Sequence, residues 1–363
     1  MFLQNPFPQA FGLEIGDLSL KLVQLYGTPW RRKKGFSVKE IREVKLSAGL
    51  IVNGEIQQPE LVRKKLLHIL GRDENRYSPI KSPWVVASLP EVKTFIKLIK
   101  IETSPDDVSE ADVLFQAKKH LPFGEEDEVY VSWQIINKEQ SNDYAQVLIA
   151  AVPKMIGDSY TYLLESVQLV PLALEIEALS ITRSLITNDK NYAGEARAIL
   201  DLGATRSSLI IYDNNTIQFS TSLNFSGELI NTAIQQEMKI DHQQAEEMKI
   251  KNGLKFLKKN TAYLKSISKT NNQLISELTS ALQFYNSHFK NNNPINHITM
   301  CGGMSLWTGL DNFISSKLKI SSHPGNVWKN LENKKVERDR KGGLTLAVVM
   351  GLALRAIQRP FII

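Results

Sequence analysis

Two stretches of this chain, FGLEIGDLSLKLVQL from Phe11 and ILDLGATRSSLII from Ile199, share one plan: an apolar strand, a glycine turn and a second strand. A third strand, Ile295 to Met300, runs into the pair Gly302-Gly303. The plan requires a mixed α/β fold in which the backbone at several turns carries no side chain. Glycine lacks a Cβ, so N–H groups at such turns can approach phosphate oxygens. A glycine pair opening a helix adds a helix N-terminus, and a carboxylate at a strand end can order Mg²⁺ through water. Each element alone is ordinary, but their order describes a nucleotide clamp.

The remaining chain fills in around these turns. Phe11 to Tyr26 reads as a β-hairpin about Gly16-Asp17, and Ala198 to Asp213 as a second about Gly203, a weak internal duplication. A helix is expected over Pro59 to Leu70, with Val62, Leu66 and Ile69 on one face and Gly71 as its cap. Trp84 to Leu89 reads as a buried strand, and Phe95 to Ile101 alternates. The spacing of Ala111, Leu114, Phe115 and Lys118 predicts a helix over Ser109 to Leu121 with that face inward, stopped by Pro122. Strands at Val129 to Ile136 and Val147 to Val152 are expected to return to the first sheet, making residues 88–145 an inserted α/β subdomain. Ser159 to Ile186, broken at Pro171, fits two helices or a helix, strand and helix. The stretch from Gly227 to Lys290 is mostly helical, with Ile230, Ile234 and Met238 on one face and Leu274, Leu278, Leu282 and Tyr285 on another. Leu344 to Ile357 closes the chain as a helix burying Leu346, Val349, Met350 and Ala353. These segments predict a first lobe over 1–195 and a second over 196–363, the latter with a mainly helical subdomain at 228–292.

Length supports that division, since 363 residues exceed one comfortable core. The single cysteine, Cys301, excludes a disulfide framework, and no Cys/His spacing suits zinc. It reads as a small buried hydrophobe, His68, His120 and His242 as surface or partly packed, and Trp84, Trp133, Trp307 and Trp328 as packing residues. The N-terminus lacks the pattern of a signal peptide, and no stretch reaches the roughly 18 apolar residues of a membrane span. A cytoplasmic protein is therefore expected. The net charge of +6 comes from 44 basic and 38 acidic residues, interspersed, which argues against a nucleic-acid partner. The one tight basic cluster, Arg31, Arg32, Lys33 and Lys34 beside Trp30, reads as a solvated hairpin tip or a contact for anionic lipid headgroups.

With both glycine hairpins, the inserted SLPEVKTFIKLI from Ser88 and KKHLPFGEEDEVYVSWQII, and the closing ITMCGGMSLWTGLDNFI and AVVMGLALR, the chain resembles the actin superfamily and, within it, the PilM family of type IV pilus assembly proteins. The resemblance covers nearly the whole length. It implies an actin-like (ribonuclease H-like) two-lobed fold with a small α/β subdomain inserted in the first lobe, binding ATP with Mg²⁺. Carried over by position, Gly16, Asp17, Ser19 and Lys21 line one side of the phosphates, and Gly203, Thr205 and Ser207 the other. Glu14 and Asp201 hold the metal's water shell, Glu246 and Lys249 touch ribose and adenine, Gly227 belongs to the second lobe's part of the site, and Gly302, Gly303 and Met304 lie beneath the base. Glu175 and Glu177 stand where a group could order an attacking water.

Glu14 replaces a usual Asp and Asp17 a usual Ser or Thr, so the resemblance implies a loosened metal site, added negative charge near the phosphates and slow turnover at most. It further implies an adaptor peripheral to the inner membrane that binds the cytoplasmic N-terminal segment of a PilN-like bitopic protein. Leu89, Pro90, Pro122 and Phe123 border the insertion as groove candidates. Pilus motor ATPases and further copies of the chain are additional expected partners. Within the same superfamily the alternatives are a cell-division adaptor of the FtsA type, which would need a C-terminal amphipathic helix, and a small-molecule kinase, which would need a catalytic carboxylate facing a substrate cleft.

Overall fold

The computed structural model describes residues 6–27, 35–73, 77–124, 126–136, 143–187, 190, 192–255, 260–289, 291–331 and 340–358. Trp30 and the basic run at 31–34 lie outside them. The chain forms two compact units: residues 1–188, 328–338 and 346–363, and residues 189–327 with 339–345. The closing helix thus belongs to the first unit, whereas the sequence placed it in a second lobe.

The first unit contains β1 (Phe11–Ile15), β2 (Ser19–Gly27), β3 (Phe36–Lys45), β4 (Ile51–Val52), β5 (Glu55–Ile56) and α1 (Pro59–Ile69). It continues through β6 (Trp84–Leu89), β7 (Phe95–Ile101), α2 (Glu110–Lys118), β8 (Val129–Ile135), β9 (Ala145–Pro153), α3 (Lys154–Glu165), β10 (Val170–Ile176) and α4 (Glu177–Leu185). Its main sheet runs β10-β6-β1-β2-β3, with β1 parallel to β6 and β6 parallel to β10. Both faces of this sheet are covered. Val62, Leu66 and Ile69 of α1 pack on one core with Phe11, Leu13 and Ile15. Val23 and Leu25 face Leu346, Val349, Met350 and Ala353 of the closing segment, as its periodicity predicted.

Two glycines set how closely that last helix approaches. A Cβ on Gly12 would lie 2.5 Å from the Ala353 nitrogen, and one on Gly351 only 1.8 Å from the Ser180 carbonyl oxygen.

A small sheet, β7-β9-β8, carries α2 on one face. Two expectations change here. First, β9 pairs antiparallel with both β7 and β8 and stays in the small sheet, which therefore extends to Pro153. The strand joining the main sheet is β10, parallel to β6, because the segment after Ser159 is a helix, a strand and a helix. Second, α2 buries Val113 and Ala117, while Phe115 is 64% exposed and Leu114 36%. Ser109 and Asp112 form a capping box that fixes the helix start, and the small pair at i and i+4 lets α2 sit low on Ile99, Ile101 and Val147.

The second unit contains β11 (Ala196–Leu202), β12 (Ser207–Asp213), β13 (Thr216–Leu223), α5 (Gly227–Met238), α6 (His242–Asn252), α7 (Thr261–His288), β14 (Ile295–Cys301), α8 (Leu310–Leu318), β15 (Ser321–Pro324) and α9 (Arg340–Gly343); the last helix, α10 (Ala347–Gln358), is the one packed in the first unit. Strand order is β15-β14-β11-β12-β13, with β11 parallel to β14. Ile230, Ile234, Leu274, Leu278 and Tyr285 share one core with Leu200 and Leu209, and Met238 and Leu282 pack against it. No helix among the described residues is long and apolar enough to cross a membrane.

Candidate functional site

In the first unit the hairpin turn is closed by Gly16 N–H donating to the Ser19 carbonyl (3.0 Å). Glu14 and Lys21 face each other across β1 and β2 and form an ion pair at 2.6 Å, both side chains 12% exposed. Lys21 thereby meets the Glu14 charge directly. Asp17 is buried, and its Oδ1 accepts from the Gly54 amide (3.1 Å).

Glu175 is also reassigned. At 1% exposure, its Oε1 accepts from Ser180 Oγ (2.6 Å) and Arg183 Nη1 (2.6 Å), and its Oε2 from Arg183 Nη2 (2.9 Å) and Arg355 Nη1. Burial pushes this carboxyl up, but the two guanidiniums and the hydroxyl outweigh it and hold the group below the ordinary carboxylate range. With both oxygens engaged, Glu175 ties β10, α4 and α10 together and leaves no acceptor for a water. Glu177, at the start of α4, is 6% exposed. Among the groove candidates, Leu89 and Pro90 are buried, Phe123 is half-buried and Pro122 is exposed.

The second unit gathers more of the expected residues. Gly203 N–H donates to Arg206 O (2.9 Å), closing a turn in which a Cβ on Gly203 would lie 2.5 Å from that oxygen. Gly203 O and Ala204 O accept from the Gly227 and Glu228 amides (3.2 and 2.9 Å), so the turn is clasped to the start of α5. Ser226 caps that helix, accepting from the Leu229 amide (3.2 Å). Gly227 stands against Lys249 Nζ, Ala204 O and Met304 Cγ, each 3.3–3.4 Å from where its Cβ would be.

Lys249, 5% exposed, donates to Gly227 O (3.3 Å) and to Glu246 Oε2 (2.6 Å). Its own carbonyl accepts from Trp307 Nε1 (3.0 Å). The Glu246 carboxyl is pushed up by partial burial, but hydrogen bonds from Lys249 and Asn231 outweigh this and hold it low. At the ends of β11 and β14, Asp201 Oδ1 accepts from Cys301 Sγ (3.5 Å). Gly302 adopts φ +79°, and a Cβ there would lie 2.4 Å from Leu202 O and 2.6 Å from Asp201 Oδ1. Gly303 is exposed, Thr205 half-buried, and Met304 and Ser207 are buried.

Gly203, Gly227, Glu246, Lys249 and Met304 are thus brought together, with Asp201 and Gly302 in contact at the adjoining strand ends. Sequence reasoning missed Asn231. Completely buried, it donates through Nδ2 to Glu246 Oε2 (2.7 Å), while its Oδ1 is buried with no partner. The signal was present: an amide side chain one turn after Gly227, between the core positions Ile230 and Ile234. The arrangement brings a cation, a carboxylate and an amide side chain together against backbone that carries no side chain at Gly227.

Comparison with solved structures agrees with this architecture. A chain of the "PilM-PilN type IV pilus biogenesis complex" superposes with TM-score 0.80 at 23% identity, covering 97% of this chain and 100% of that one. The ethanolamine utilization protein EutJ from Carboxydothermus hydrogenoformans gives TM-score 0.53 at 11% identity, covering 96% and 90%. MreB5 of Spiroplasma citri bound to ADP gives 0.51 at 14%, covering 96% and 97%. The fold is that of the actin-like ATPases. The model of the type IV pilus assembly protein PilM family matches residues 12–357. A chain matched over nearly its full length, with the glycine turns and the inserted small sheet in place, belongs to the PilM family of type IV pilus assembly proteins.

Proposed function

We propose that this chain is an ATP-binding adaptor of pilus assembly, acting at the cytoplasmic face of the inner membrane through a PilN-like bitopic partner. The observation that carries the nucleotide part is the cluster of Gly227, Met304, Lys249, Glu246 and Asn231. The fit to a nucleotide is chemical. Glycine walls admit a flat base, a carboxylate held in place suits sugar hydroxyls, and the buried, unpartnered oxygens of Asn231 and Ser207 mark polar surface that lacks a protein partner. The similar MreB5 structure was solved with ADP, which supports a nucleotide of this class.

A bound nucleotide would bring phosphates and Mg²⁺, which neutralises phosphate charge. Asp201 is our candidate for ordering the ion's water shell, with Gly203, Thr205 and Ser207 as the phosphate-side candidates of the same unit. In the first unit Gly16, Ser19 and Lys21 are the corresponding phosphate-side candidates, and Glu14 shares its charge with Lys21. Glu175 is committed to Arg183 and Arg355, which supports binding with slow or no turnover.

The partner reading is supported by the similar chain being that of a PilM–PilN complex. The cytoplasmic N-terminal segment of such a protein would dock near the insertion, with Leu89, Pro90, Pro122 and Phe123 as candidates, of which Pro122 is exposed and Phe123 half-buried. Calorimetry of the full chain with ATP and Mg²⁺ tests the nucleotide reading. Saturable binding, lost by about tenfold or more in Lys249→Ala, is expected, and absence of binding by the wild type overturns it. Titration with the N-terminal peptide of a PilN-like protein encoded nearby tests the partner reading in the same way.

A further inference from the structure

Edge strands reveal their protection in their sequences, and three of this protein's edges are protected. At the edges of the main sheet, β3 carries Lys39, Glu40, Arg42, Glu43 and Lys45, and β10 contains Pro171 and a register shift. At the edge of the second unit's sheet, β15 is four residues long and ends in Pro324. Charges, proline, bulges and short length are the usual devices against edge-to-edge pairing. The outer strand of the small sheet, β8, has none of them. Its seven residues, VYVSWQI, include no charge, no proline and no glycine.

The hydrogen-bonding pattern shows which groups this edge offers. Lys154 N–H donates to Glu128 O and Ile136 N–H to Gln146 O, each at 2.8 Å, just beyond the two ends of the β8–β9 ladder. Antiparallel neighbours alternate between pairs that exchange bonds and pairs that do not. Tyr130, Ser132 and Gln134, opposite Val152, Ala150 and Leu148, therefore bond to β9. Val129, Val131, Trp133 and Ile135 direct their N–H and C=O groups away from it. Among the described residues, no backbone partner outside the ladder meets them.

We propose that β8 pairs with β8 of a second copy of this chain, antiparallel and about a two-fold axis at Ser132. That register sets outward-bonding residues opposite one another: Val131 meets Trp133 and Val129 meets Ile135. On the other face Tyr130 meets Gln134 and Ser132 meets its own copy. No like charges oppose, and an aromatic residue faces a β-branched one, a favourable cross-strand pair. A self-complementary strand is what an isologous interface requires. The second copy is favoured because the register that pairs every exposed backbone group of β8 also sets Val131 against Trp133 and opposes no like charges, so the strand's own side chains complement one another. The inference names a surface for the further copies that the resemblance implies, and it is independent of the nucleotide and PilN-like readings.

The test uses the full-length protein. Sedimentation from about 1 to 200 µM is expected to show a monomer–dimer equilibrium by mass action. Ser132→Lys places like charges on the axis and is expected to weaken the dimer at least about tenfold, with unchanged circular dichroism and melting. Ser132→Cys is expected to form a disulfide-linked dimer under mild oxidation. Non-hydrogen-bonded partners lie about 4.5 Å apart at Cα, within the roughly 4.4–6.8 Å a disulfide spans. Gln134→Cys, which faces Tyr130 of the other copy, is the control and should link far more slowly. The native Cys301 is buried and does not interfere. A wild type monomeric throughout, a Ser132→Lys protein that dimerises as before, or equal cross-linking at both positions would each overturn the proposal. So would a monomer whose partner peptide is lost on Ser132→Lys, which would assign the edge to another protein.

Discussion

Replacing Glu175 by Gln separates a structural role from a catalytic one. The carboxylate is 1% exposed and accepts from Ser180, Arg183 and Arg355, whose side chains are themselves largely buried. Glutamine keeps the shape but removes the charge and points an NH₂ at guanidinium donors. Breaking a buried ion pair while leaving its partners costs about 3–5 kcal/mol. In a unit of this size each kcal/mol lowers Tm by roughly 2–4 °C, so a fall of about 6–20 °C is expected by calorimetry. The pH dependence has a defined sign. Because the folded carboxyl sits below its ordinary value, its stabilisation is present above about pH 4.3 and fades as acid carries the protein down through the folded pKa. Glu175→Gln should lack that part of the acid loss. A variant that melts like the wild type but loses ATP turnover would refute this reasoning and restore Glu175 as the water-ordering group.

Gly351→Ala places a methyl 1.8 Å from the Ser180 oxygen and should destabilise by at least about 1–3 kcal/mol in urea denaturation, whereas Gly27→Ala, with nothing within 4 Å, should be nearly neutral. Asp17→Ala strips the Gly54 amide of its acceptor and should cost about 1–3 kcal/mol without tightening ATP binding, measured by paired melting and calorimetry. Ser109→Ala should loosen the start of α2 by about 1 kcal/mol, read as faster amide exchange there. Glu246 stays ionised down through the ordinary carboxylate range, so above about pH 4.3 any loss of ATP affinity should follow the nucleotide's own phosphate titration and be shared by Glu246→Gln, and Asn231→Leu should move the Glu246-dependent loss to higher pH.

What local sequence determined, it determined through periodicity and glycine. The hairpins about Gly16 and Gly203, helix α1 with Val62, Leu66 and Ile69 inward, and the buried face of α10 were legible, because each depends on residues within a few turns of one another. The glycine turns and the order of the matched segments were enough to identify the family. Partners distant in sequence were not legible. The burial of Asp17 depends on Gly54, and the role of Glu175 on Arg355, which is 180 positions away. The face of α2 reversed because the small sheet rewards the small pair Val113 and Ala117 over the larger Leu114 and Phe115. Strand β9 stayed in the small sheet because antiparallel pairing to both neighbours satisfied its backbone there. Periodicity reports which residues can share a face; only the tertiary structure decides what that face meets and which charge neutralises which.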